Sequence, residues 1–203
     1  MGRVLTLVAP QEAEAHGLLA LMELNASRIA ARTDAAGDPI LLMDQNRARW
    51  DRLQIRRGLL ALARAQELGG GQGFYVLQAA IVACHARAGT PDETEWPRIA
   101  RLYAELAALV RSPIIELNRA VAVGMAEGPA AALALVDQLA HEPALKNYHL
   151  LESVRGDLLC KLGRLAEGRA AFEAASALAA NKRERELLTR RATEAGGGAP
   201  PPS

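Results

Sequence analysis

The sequence predicts an all-α protein built of stacked helical hairpins, with about eight or nine helices. Three observations predict it. Half of the 203 residues are hydrophobic, yet only 3% are aromatic, and Ala and Leu are very frequent. Both have high helix propensity, and Ala lets helix backbones approach closely. Apolar residues recur at helical spacing between Gly and Pro breaks. The pattern then repeats with a period close to 40 residues.

Taken in order, Leu18, Leu19, Leu21, Met22 and Ile29 set a helix over 12–32. The stretch DAAGDPILLMDQNRARWD, 34–51, connects it to a second helix over 46–68, which GGGQG at 69–73 ends. FYVLQAAIVACHARAG begins a helix at Phe74 that stops near Gly89, and EWPRIARLYAELAALV forms the next. SPIIELNRAVAVGMAEG opens with Ser112 as N-cap and Pro113 in the first turn, a good helix start. PAAALALVDQLAHEP is its partner, and NYHLLESVRGDLLCKLGRLAEGRAAFEAASALAAN supplies another pair. The last helix starts at Asn181, with Glu184 three residues on as a capping-box match. GGGAPPPS, 196–203, reads as a disordered tail. The expected organisation is a single helical domain over 1–195, with an irregular first hairpin over 1–68 and repeats over 74–195.

Leu77-Gln78, Leu117-Asn118 and Arg155-Gly156 fall 40 and 38 residues apart, each followed three residues later by Ile81, Val121 or Leu159. The third pair resembles a tetratricopeptide repeat, with Gly156, Leu159, Gly163, Phe172 and Ala175 at that repeat's small and large packing positions. It departs at Arg155, where an apolar residue is usual, and at Gly168, where Ala is usual. Such repeats stack into a solenoid whose inner face commonly holds a peptide or protein segment.

GLLALMELNASRIAARTDAAGDPILLMDQNRARWD, followed by YVLQAAIVACHA and SPIIELNRAVAV, resembles one group more specifically. It is similar to the C-terminal tetratricopeptide-like extension of certain extracytoplasmic-function RNA polymerase sigma factors, in which sigma regions two and four precede this domain. The resemblance runs from about Gly17 to Arg191. Where that family reads Asp-Gln-Asp-Arg, this chain has Asp44-Gln45-Asn46-Arg47. Nothing resembles sigma region two or four, so the chain is either the extension as a piece of a longer protein or a shortened relative. The resemblance implies a bacterial, non-enzymatic regulatory domain. It would act by contacts with sigma regions two and four, RNA polymerase or another regulator. The alternative is a free-standing adaptor that binds a peptide or protein, unrelated to transcription.

The 34–51 stretch concentrates the candidate site residues: Asp34, Asp44, Gln45, Arg47, Trp50 and Asp51. The spacing of Asp34, Asp38 and Asp44 does not match a calcium loop. The reading is therefore a structural joint that locks the first hairpin to the repeats and contacts a partner. Gly37-Asp38-Pro39 makes a turn, ILLM inserts as an extended apolar segment, Asp44 caps the following helix, and Trp50 anchors the core. Arg28, Arg32, Asp34, Asp44 and Asp51 are expected to form an Arg–Asp network. Arg49, Arg52 and Arg56 share one helix face. On the middle repeat, Asn118 and Arg119 either line the concave face or, for Asn118, make a buried interhelical hydrogen bond.

The net charge of +1 lacks the basic excess of a nucleic-acid binder, so direct DNA binding by this segment is not expected. No apolar run approaches membrane-spanning length. Cys84 and Cys160 show no metal spacing, which predicts a reduced, cytoplasmic setting. Neighbours on a helix, Cys84 and His85 point about 100° apart and cannot act as nucleophile and base together. GGGQG lacks the Lys-Ser/Thr of a phosphate loop. No catalytic residue, metal or cofactor is expected.

Overall fold

Proline and glycine punctuate the chain, and the helices start and stop where they stand. Pro97, Pro113 and Pro129 each sit in a helix's first turn, where the missing N–H costs nothing. The computed structural model describes residues 2–35 and 37–197. It is all-α, with ten α-helices and no strand among the described residues. They are α1 (Gly2–Val8), α2 (Ala13–Ala26), α3 (Arg52–Glu67), α4 (Phe74–Arg87), α5 (Trp96–Leu109), α6 (Pro113–Glu127), α7 (Pro129–Leu139), α8 (His149–Lys161), α9 (Leu165–Leu178) and α10 (Lys182–Ala195). The helix beyond the expected nine is α1, too short for its apolar residues to show a period. Within each part of the chain described below, successive helices pack antiparallel as hairpins.

The chain divides into two compact units, Met1–Val110 and Arg111–Ser203. In the first, α2 packs on both α3 and α4, and α5 packs on α4. α4 is the central helix, with Val76, Leu77, Ala79, Ala80, Ile81, Ala83, Cys84, His85 and Ala86 all buried. A helix apolar nearly all round needs cover on nearly all sides. Gly17 lets α2 come close enough: a Cβ there would lie 2.8 Å from the Val76 backbone nitrogen.

Both ends of α4 are closed by charges from distant parts of the chain. Gly73 precedes it and has no side chain to cap with; the Glu14 carboxylate of α2 accepts from the N–H groups of Tyr75 (2.9 Å) and Val76 (3.3 Å) instead. At the other end, the Arg47 guanidinium donates to the carbonyls of His85 and Ala88. An anion at the N-terminus and a cation at the C-terminus both complement the helix dipole.

In the second unit α6 packs on α7, α7 on α8, α8 on α9 and α9 on α10. The two departures from the tetratricopeptide pattern have local causes. A Cβ on Gly168 would lie 2.5 Å from the Cys160 sulfur, so α8 and α9 cross too closely for Ala. Arg155 reaches from α8 to Asp137 of α7 at 2.9 Å, an ion pair in place of an apolar contact.

Some expected boundaries move. The first helix ends at Ala26, and its last turn gives way to a 3-10 turn at Ile29–Ala31. The second begins at Arg52 rather than 46. Ser112 stands at the N-cap of α6 but makes no side-chain cap bond. Asn181 does cap α10, accepting from Arg183 N–H at 2.9 Å, while Glu184 lies 3.5 Å from His149 instead of closing a box. Of the expected disordered tail, 198–203 lie outside the described residues; Gly196 accepts the chain out of α10 as its C-cap.

Candidate functional site

The joint leaves α2 at Ser27, whose hydroxyl donates to the Leu24 carbonyl at 2.7 Å and ends the helix. The Ser27 carbonyl accepts from the Asp51 N–H at 2.9 Å, so the two ends of the connection meet. Between them the chain makes a tight turn. Asp34 accepts from the Asp38 N–H at 2.8 Å, and Ile40 N–H donates to the Arg32 carbonyl at 2.8 Å. This makes Asp34 a turn former. Gln45 is buried and donates to the Ile40 carbonyl at 3.1 Å, which fixes the start of the apolar segment.

Asp44 does not cap the following helix, contrary to expectation. It is exposed, and Asn46 comes next, its side chain accepting from Ala48 N–H at 2.9 Å to cap a 3-10 turn over Arg47–Arg49. The cap of α3 is Asp51, which accepts from Leu53 N–H at 2.8 Å and Gln54 N–H at 3.0 Å. We expect Asp51→Ala to lower stability by about 1 kcal/mol in urea unfolding, and Asp44→Ala to leave it unchanged.

The expected Arg–Asp network is likewise replaced. Arg28 and Arg32 both donate to the Asn25 side chain, at 2.9 and 3.4 Å. Arg47, only 6% exposed, turns its donors to two backbone carbonyls and one hydroxyl: Nη1 donates to the carbonyls of His85 (2.8 Å) and Ala88 (2.7 Å), and Nη2 to the Thr94 hydroxyl (3.2 Å). Burial draws its pKa down while the Glu93 carboxylate pushes it up, and a guanidinium keeps its charge at any physiological pH. Trp50 is 3% exposed in the core beside it. The guanidinium carbons of Arg47 and Arg28 stand 5.1 and 5.9 Å from its ring centre, within cation–π range.

His85 completes this cluster. Its ring meets Trp96 edge-on at 5.2 Å. Burial first, then the nearby charges of Arg28 and Arg47, hold its pKa down at about 4. The folded value lies below the unfolded 6.5, so the unfolded chain takes up the proton first as pH falls. Stability is therefore full above about pH 6.5 and drops toward pH 4, by up to about 3 kcal/mol. Urea midpoints at about pH 7.5 and about pH 5 measure the drop, and His85→Gln should remove this residue's share of it.

Burial raises the neighbouring Cys84 thiol, which makes it a poor nucleophile. Among the described residues no group of His, Cys, Asp and Glu gathers to hold a metal ion. No helix there is long and apolar enough to cross a membrane. The arrangement grips carbonyls and seals an aromatic core.

Asn118 and Arg119 belong to the second unit, on α6. Asn118 is exposed, so the buried interhelical hydrogen bond is not made. Arg119 is held by Glu116 of its own helix at 2.7 Å. Sequence reasoning missed Glu14, Thr94 and Ser27. The one available signal was Gly73, a helix start with no cap of its own.

Residues 1–66, spanning α1, α2 and nearly all of α3, match the family of unknown function DUF6596. The chain is 45% identical over 184 residues to uncharacterized protein R00370 of Rhizobium meliloti (strain 1021). No solved structure matches. The aligned region takes in 91% of this chain but 43% of the Rhizobium protein, so the chain is similar to less than half of a longer protein.

Proposed function

We propose that this chain is the protein-interaction extension of an extracytoplasmic-function sigma factor. It acts without catalysis, through contacts with sigma regions two and four, RNA polymerase or a regulator. One observation carries the reading. Among the residues on which the sigma-factor resemblance rests, Arg47, Trp50 and the run Tyr75–Ala86 meet where the joint is locked onto α4. The likeness thus lies in a shared scaffold, and a scaffold of helical hairpins serves contact more readily than chemistry. The Rhizobium relative supports it further, with more than half its length left over for other regions.

Calorimetry between this chain and the separately expressed sigma two–four portion from the same genome tests the reading. A saturable heat of binding is expected. Absence of binding to that portion and to core polymerase would overturn it and leave the free-standing adaptor.

A further inference from the structure

α3 carries an arc of residues that its own packing does not use. Ile55, Gly58, Ala61, Leu62 and Ala65 are buried. On the opposite side Leu53 and Leu60, seven residues apart, are 55% and 62% exposed. At about 100° per residue, Arg52 and Arg56 fall along one flank of that pair and Arg57 along the other. All three arginines are exposed. None makes an ion pair or side-chain hydrogen bond among the described residues, and the nearest carboxylate in sequence, Asp51, is committed to the helix cap. In a chain of net charge +1 this is a local excess of positive charge around an apolar ridge.

Such a ridge is complementary to an amphipathic helix whose apolar stripe is edged by carboxylates, the logic that pairs helices through flanking charges. Phosphates would satisfy the arginines but leave two leucines against a polar backbone, and this face offers no aromatic ring for a base. A bilayer needs a broad apolar face, and beyond Leu53 and Leu60 the only exposed apolar residue of α3 is the small Ala63.

We propose that the outer face of α3 docks an acidic amphipathic helix of a protein partner. Leu53 and Leu60 enter its apolar stripe, and Arg52, Arg56 and Arg57 pair with carboxylates at its edges. This rests on the reading that the chain works by protein contact.

The probe is a fluorescein-labelled synthetic helix of about four turns, with a leucine stripe flanked by glutamates, titrated with the full chain in anisotropy. A companion probe carries lysines in place of the glutamates. The acidic probe should bind and weaken with salt, and the lysine probe should not bind. Affinity should fall at least about tenfold in Arg52→Glu/Arg56→Glu/Arg57→Glu and again in Leu53→Ala/Leu60→Ala. These positions are exposed, so both variants should keep the parent's melting temperature. The proposal is overturned if the acidic probe does not bind or if both variants bind it as the parent does. It is also overturned if duplex DNA binds through the arginines with no dependence on the leucines. A sigma two–four portion that binds parent and triple variant alike would leave the proposed function standing and remove α3 as its surface. Probe binding without sigma association would do the reverse.

Discussion

Arg47→Ala should cost about 3–5 kcal/mol, the largest loss in the first unit. Three acceptors depend on this one side chain: the carbonyls of His85 and Ala88 and the Thr94 hydroxyl. Two are backbone, so no second substitution can make them apolar, and the truncation leaves them buried without a donor. It also removes a cation from the C-terminal end of α4 and the group stacked on Trp50. Arg47→Lys should recover only part of the loss, because an ammonium on a flexible stem cannot fork between two carbonyls as a guanidinium does. Thermal unfolding followed by circular dichroism reads this directly, as a fall of more than about 10 °C for Arg47→Ala and a smaller one for Arg47→Lys. Equal melting temperatures for Arg47→Ala and the parent would mean that the fork carries no net energy.

Phe172→Ala should cost a similar amount, about 3–5 kcal/mol, in the second unit. Phe172 is 2% exposed, and a Cβ on Gly156 would lie 3.0 Å from its ring, so the ring fills the space that the glycine leaves between α8 and α9. Arg191 of α10 stands over the ring, its guanidinium carbon 4.4 Å from the ring centre, and is itself held by Asp157 of α8. Removing the ring opens a cavity at the meeting point of three helices. Phe172→Leu keeps most of the volume and should cost less than about 1.5 kcal/mol. Urea unfolding of the two variants tests the difference; equal losses would show that volume is not what Phe172 contributes.

The helices were legible because their boundaries are local. Proline in a first turn and glycine past an end need only their neighbours, and Ala-Leu periodicity needs no partner to be seen. Gly156 and Phe172 were legible as a small–large pair because the repeat spaces them regularly. The joint was legible as a structural element but not in its wiring. Acidic side chains are visible in a sequence and suggest an Arg–Asp network, whereas the backbone carbonyls that Arg47 serves, 38 and 41 residues away, carry no residue-type signal. The run Asn46–Trp50 reads as helical, which makes Asp44 the expected cap; its 3-10 turn, closed by Asn46, moves the start of α3 to the next available carboxylate, Asp51. Glu14 escaped notice for the same reason as Arg47: its acceptor role is played 61 residues away.

The charges at the two ends of α4 bear on how the first unit can be cut and how it assembles. The stretch shared with DUF6596 stops at residue 66, before α4 has begun. A polypeptide ending there would hold Glu14 without the amides it serves and Arg47 without its carbonyls, and would leave the faces of α2 and α3 that α4 covers open to water. The end of that match is therefore not a folding boundary. A fragment that keeps both closures of α4 must run past Thr94, and during synthesis Glu14 and Arg47 gain these partners only after the fourth helix has emerged.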